Sequence, residues 1–83
     1  MNTKEIINIA RNHALNGDSE MQSSALLCFQ EAQRLYNMGE WDFAQGRAAK
    51  CVAYAVGVFH EDYKRIARSM EYAGLKVLIP NKL

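Results

Sequence analysis

Two cysteines and two histidines carry most of the reactive chemistry in this 83-residue chain, and their spacing limits what that chemistry can be. In an antiparallel helical pair turning near Gly39-Glu40, positions whose numbers sum to about 79 face each other, and Cys28 and Cys51 meet that condition. Facing thiols would suit a redox pair or half of a metal site. Free cysteine is also a common small core hydrophobe, and that is the reading adopted. A structural zinc site needs four ligands, and His13 and His60 have no CxxC or HxxxH spacing that would complete one. No metal or cofactor site is expected. Each histidine has the chemistry of a general base. Neither has a Ser, Cys or paired carboxylate at a spacing that marks a nucleophile or orienting group, so no catalytic residue is assigned. His60 beside Glu61 and Asp62 reads as a solvated helix junction.

The remaining candidates are surfaces. Lys64, Arg65 and Arg68 share one flank of a helical segment, with Lys76 extending it, and such a patch suits phosphates or an acidic protein surface. No recognition-type helix follows at helix-turn-helix spacing, because Gly74 and Pro80 intervene. Glu40 and Asp42 bracket Trp41 at a helix start, where the helix dipole favours negative charge. Among the aromatics, Trp41 and Tyr72 fit the core stripes least well, which makes them candidate partner contacts.

Charge is lopsided although the formal net is +1. Residues 1–42 carry three basic and six acidic side chains, a balance of −3; residues 43–83 carry seven and three, a balance of +4. That asymmetry suits steering of a partner or attraction between the two halves. The opening Met-Asn-Thr-Lys-Glu lacks an apolar signal-peptide core. The uncharged apolar run at 51–59 falls far short of the ~20 residues needed to span a bilayer. With two Cys and no export signal, a reduced cytoplasmic protein with no membrane partner is expected.

The elements that must position these residues are helical. One Pro and five Gly leave too little punctuation for an all-β fold. Asn2 and Glu5 are spaced as a capping box for a first helix with Ile6, Ile7, Ala10, His13 and Ala14 on one face. Asn16-Gly17-Asp18 marks a turn, and Ser19 with Gln22 suggests a second capping box. Met21, Ala25, Cys28, Ala32 and Leu35 then recur by four and three residues, a buried stripe flanked by Phe29 and Tyr36. Gly39 ends that helix, and a third starts near Trp41 with Ala44, Ala48, Cys51, Ala55, Val58 and Phe59 on one face. Apolar on every side over 51–59, the third helix should be central. A fourth segment places Tyr63, Ile66, Ala67 and Met70 at helical spacing, with Gly74 as its cap. Gly57 and His60-Glu61-Asp62 are weak breakers, so one long helix joining the third and fourth segments is the alternative. Leu75-Lys76-Val77-Leu78-Ile79-Pro80 reads as an extended apolar strap.

The segment Gly39-Glu40-Trp41-Asp42-Phe43-Ala44 resembles the inter-helix turn of a tetratricopeptide repeat, and Ala44, Ala48 and Cys51 fall on that repeat's small-residue positions. In the preceding helix Leu35-Tyr36 matches the aromatic end, whereas Cys28, Glu31 and Ala32 replace the usual Trp, Leu and Gly. The likeness spans about 25–55 in a single copy, and a stacked array needs about three. The same hairpin is similar to that of HEPN-type helical domains, some of which are ribonucleases with an Arg-x4-6-His motif. Here Arg11 precedes His13 by only two residues, and no Arg lies four to six before His60. Both resemblances imply a helical hairpin.

The sequence therefore predicts an all-α protein: a small bundle of three to four helices built around an antiparallel hairpin, with one domain at 1–74 and an extended tail at 75–83. The preferred function is non-catalytic protein–protein interaction, as an adaptor or inhibitor of the kind found among bacterial or phage accessory proteins. A homodimer or a larger complex would cover a core this small. The alternatives are nucleic-acid binding through the basic flank and a degenerate HEPN-like nuclease. The expected partner contacts are Trp41, Lys64, Arg65, Arg68, Tyr72 and Lys76.

Overall fold

Alanine spacing sets the architecture. In the computed structural model, which describes residues 1–77, four helices follow one another: α1 (Thr3–Asn16), α2 (Gln22–Asn37), α3 (Trp41–Val56) and α4 (Glu61–Tyr72). The described residues contain no strand, so the all-α class and the small-bundle architecture hold. None of these helices is long and apolar enough to cross a membrane.

α2 and α3 form an antiparallel hairpin and make the most extensive helix contact in the molecule. Ala25 and Ala32 of α2 and Ala44 and Ala48 of α3 have no solvent exposure. Side chains this small let two helix backbones approach closely, because interaxial distance is set by what lies at the contact. Gly39 at φ +82° closes α2: its amide donates to the Tyr36 carbonyl at 3.0 Å, and the Glu40 amide donates to Leu35 at 2.9 Å. The turn in this hairpin is thus a Schellman motif.

α3 is the central element, as its all-round apolarity predicts. α1, α2 and α4 each pack against it, and Ala49, Val52 and Ala53 are buried alongside the hairpin face. α1 contributes Ile6, Ile7, Ala10 and Ala14, and its start carries the expected capping box, with Asn2 Oδ1 accepting from the Glu5 amide at 2.8 Å. α4 contributes Tyr63, Ile66 and Met70. The surface area of 5230 Å² is close to the ~5000 Å² that size scaling gives for a folded monomer of this mass. The chain covers its own core, while large apolar side chains such as Leu15, Leu27, Met38 and Phe59 stay exposed.

Three local expectations need correction. Gly57, at φ +92° and ψ 163°, adopts a conformation that side-chain-bearing residues avoid, and it separates α3 from α4. Val58 and Phe59 therefore leave the α3 face, and Phe59 ends 86% exposed. The capping box expected at Ser19 and Gln22 does not form. Ser19 Oγ instead donates to the Tyr54 carbonyl at 2.9 Å, and Gln22 Nε2 donates to the His13 and Ala14 carbonyls at 2.9 and 2.8 Å. Gln22 thereby caps the end of α1, whose last carbonyls lack intrahelical partners and draw its side-chain amide away from the start of α2. On the α2 stripe only the alanines are fully buried, while Cys28 and Leu35 are half-buried. Of the strap expected at 75–83, Leu75 and Val77 are half-buried against the core, and 78–83 lie outside the described residues.

The two thiols are free. Cys51 is buried in the core and Cys28 half-buried at its edge. The Cys51 S–H donates to the Ala10 carbonyl at 3.4 Å, toward α1. Burial pushes its pKa up to about 12, and burial also raises that of Cys28.

Two outcomes are expected. Ala48→Leu should destabilise the protein by about 1–3 kcal/mol in chemical denaturation, through overpacking of the hairpin. A maleimide should modify Cys28 before Cys51 in the native protein, with Cys51 reacting on unfolding; equal native labelling would contradict this placement.

Candidate functional site

One turn of chain beyond α4 creates a concavity. The Gly74 amide donates to the Glu71 carbonyl at 3.0 Å and the Leu75 amide to Met70 at 2.8 Å, a second Schellman motif that needs the left-handed φ of +80° at Gly74. This motif brings its third-from-last and first-following side chains together, here Met70 and Leu75. They form the apolar floor of a groove of about 560 Å³, with Leu35 of α2 and Phe43 of α3 as its apolar walls. Phe43 is 69% exposed, a large aromatic standing at the groove's edge.

Helix periodicity supplies the rest of the lining. Asp42, Phe43, Gly46, Arg47 and Lys50 share one side of α3, and Glu31 with Leu35 occupies one side of α2. Gly46 matters for shape: a Cβ built there meets no atom within 4 Å, so the groove is open over it. The charged rim is polarised. Asp42 and Lys50 are eight residues apart on α3, about 12 Å along the axis, with Arg47 between them and Lys76 added from the tail. Glu31 is acidic as well; Arg34 Nη2 donates to it at 2.7 Å and holds its carboxyl below the usual range. Cys28 lies near enough to feel Arg47, Lys50 and Glu31, and the two cations partly offset the effect of its burial.

The chain matches no family model, no curated protein and no solved structure.

The contacts expected from sequence are divided between surfaces. Lys76 lines the groove. Arg65, Arg68 and Tyr72 border a shallower depression on the bundle, and Trp41 borders a neighbouring one, the two sharing Met1 and Gln45. Tyr72 is 97% exposed, and Trp41 is 55% exposed while stacking on Tyr36 at 6.1 Å between ring centroids. Lys64 is exposed. The basic flank is largely neutralised: Arg65 pairs with Asp62 at 3.4 Å and Arg68 with Glu61 at 3.0 Å, and α4 carries three acidic and three basic side chains. Exposed pairs of this kind contribute little stability, but they dilute the local potential.

Gly46, Arg47 and Lys50 were not singled out from sequence, and Leu35 was read there as part of a buried stripe. Their signal was present in the i, i+4 spacing of Asp42, Gly46 and Lys50, yet it is indistinguishable from an ordinary wet helix face until Met70 and Leu75 arrive opposite. His13 and His60, separate in sequence, meet edge to face at 5.2 Å.

Since glycine costs a helix interior about 1 kcal/mol relative to alanine, and the added methyl finds open space, Gly46→Ala should raise unfolding free energy by up to about 1 kcal/mol in urea titrations.

Proposed function

We propose that this protein is a small non-catalytic interaction module that docks a protein partner in the groove between α2, α3 and the segment after α4. The observation that carries the proposal is the polarised apolar groove itself, floored by Met70 and Leu75 and edged by exposed Phe43. Recognition sites of this type combine apolar anchors with a few convergent charges. Charge complementarity defines the occupant: an amphipathic segment, with its apolar face on the floor, a basic side chain toward Asp42, and an acidic one toward Arg47 and Lys50. An adaptor or inhibitor working in a reduced, cytoplasmic setting fits this chemistry.

A nucleic-acid reading has less support, because Arg65 and Arg68 are already paired with carboxylates on their own helix. Self-association remains an outcome of the test.

Selecting a displayed peptide library against the protein provides that test. The expected winners carry an apolar core flanked by a basic residue at one end and an acidic residue at the other. They should lose binding by at least about tenfold to Gly46→Leu, which fills the groove with a good helix former. Winners that bind Gly46→Leu as tightly as the parent, or a chain that is a stable dimer through this face, would overturn the reading.

A further inference from the structure

We propose that His13, His60 and Asp62 form a binding site for a divalent transition-metal ion of the zinc class, clamping α4 onto α1. One ligand atom from each of the three lies within 4.8 Å of the other two, although His13 and Asp62 are 49 residues apart. They come from three places: the last turn of α1, the N-cap of α4, and the first turn of α4.

The donor set selects the metal. Two imidazoles and one carboxylate suit first-row divalent ions, with water completing the shell, and not Mg²⁺ or Ca²⁺, which prefer all-oxygen surroundings. Zinc holds nitrogen and oxygen ligands at about 2.0–2.2 Å, so tetrahedral neighbours sit about 3.3–3.5 Å from each other. His13 Nε2 and Asp62 Oδ2 are 2.7 Å apart. That pair must open by roughly 0.6–0.8 Å, and no other pair need close by more than about 1.5 Å, from the same ligand distances. Both are side-chain rotations on fixed helices.

The groups are also prepared for this role. The His13 and Asp62 side chains are only 15% and 28% accessible, so both are partly stripped of water. Arg65 holds Oδ1 of Asp62 at 3.4 Å, which orients the carboxylate with Oδ2 toward His13. An outer partner on a ligating carboxylate performs this orienting role in metal sites generally. The cost is a nearby positive charge, which weakens the attraction for a cation. His60 Nδ1 accepts the Asp62 amide at 3.0 Å, and this cap fixes the ring beside Asp62. At His13 the metal takes the place of the proton between Nε2 and Oδ2. A neutral His13 ring keeps one proton, transferred through solvent to Nδ1.

The clamp has a structural purpose. α4 packs chiefly on α3, and the His13–Asp62 contact is the polar side-chain tie between the bodies of α1 and α4 among the described residues. Replacing a hydrogen bond by shared coordination ties the two helices at the same point more strongly, and stabilises the fold by mass action.

Titration of the full chain with ZnCl₂ by calorimetry, with Co²⁺ absorption and thermal melts in parallel, tests the site. The expected result is one Zn²⁺ per chain, a raised Tm, and a Co²⁺ spectrum without a thiolate charge-transfer band. His60→Asn keeps a good N-cap and His13→Gln keeps a donor to Asp62, so each should melt near the metal-free parent while losing at least about tenfold in zinc affinity. Mg²⁺ and Ca²⁺ should leave the Tm unchanged. No stoichiometric zinc uptake by the parent, unaltered affinity in both variants, or a thiolate band that places the metal on Cys28 would each overturn the assignment.

Discussion

The close approach of α2 and α3 is the constraint from which the rest of the structure follows. Ala25 and Ala32 meet a partner face built around Ala44 and Ala48, and all four are sealed from solvent. Methyl-sized side chains bury little area apiece, so the stabilisation comes from backbone proximity and dense packing more than from large hydrophobic surfaces. The larger buried side chains, Ile6, Val52, Ile66 and Met70, are supplied by α1, by the flank of α3 beside the alanines and by α4. The hairpin is thus a thin slab, and the two outer helices thicken it into a core.

A slab of this kind has consequences for its edges. With alanine at the centre of the contact, the bulky residues of α2 and α3 are displaced to the margins, where Leu35 and Phe43 stand half-covered or exposed. The chain meets one margin again only after α4 ends, when the left-handed turn at Gly74 returns Leu75 toward Met70. The groove is the space between the alanine-packed slab and that returning segment. Glycine at position 46 leaves it open where almost any other helical residue would fill it. The packing that makes the core economical also makes the concavity.

The opposite end of α4 follows a different logic. There the helix is started by His60, which caps it, and is tied to α1 through His13 and Asp62. The hydrogen bond from His13 keeps the Asp62 carboxyl below its ordinary range, against the opposing effect of burial. Whatever stability this bond provides is present above the ordinary aspartate range, near pH 4, and is lost as the pH falls through the lowered value. The helix dipole adds to the preference for charge here, since Glu61 and Asp62 both lie in the first turn.

Sequence by itself determined the helices and their buried faces, because these depend on residues three and four apart: the alanines of α2 and α3, Ile6 to Ala14 in α1, and Tyr63, Ile66 and Met70 in α4. It also marked the turn at Gly39, where a glycine follows the last periodic residue of α2. Only the tertiary structure decided how separate segments share polar groups and empty space. Gln22 abandoned its own helix start for the carbonyls of α1, Phe59 left the core once Gly57 turned, and the basic residues of α4 found carboxylates on the same helix. The groove and the histidine cluster each join residues 35 or more positions apart, and such pairings are set by how whole helices stack. No local period records that stacking, so neither the groove nor the cluster was legible until the backbone placed their parts together.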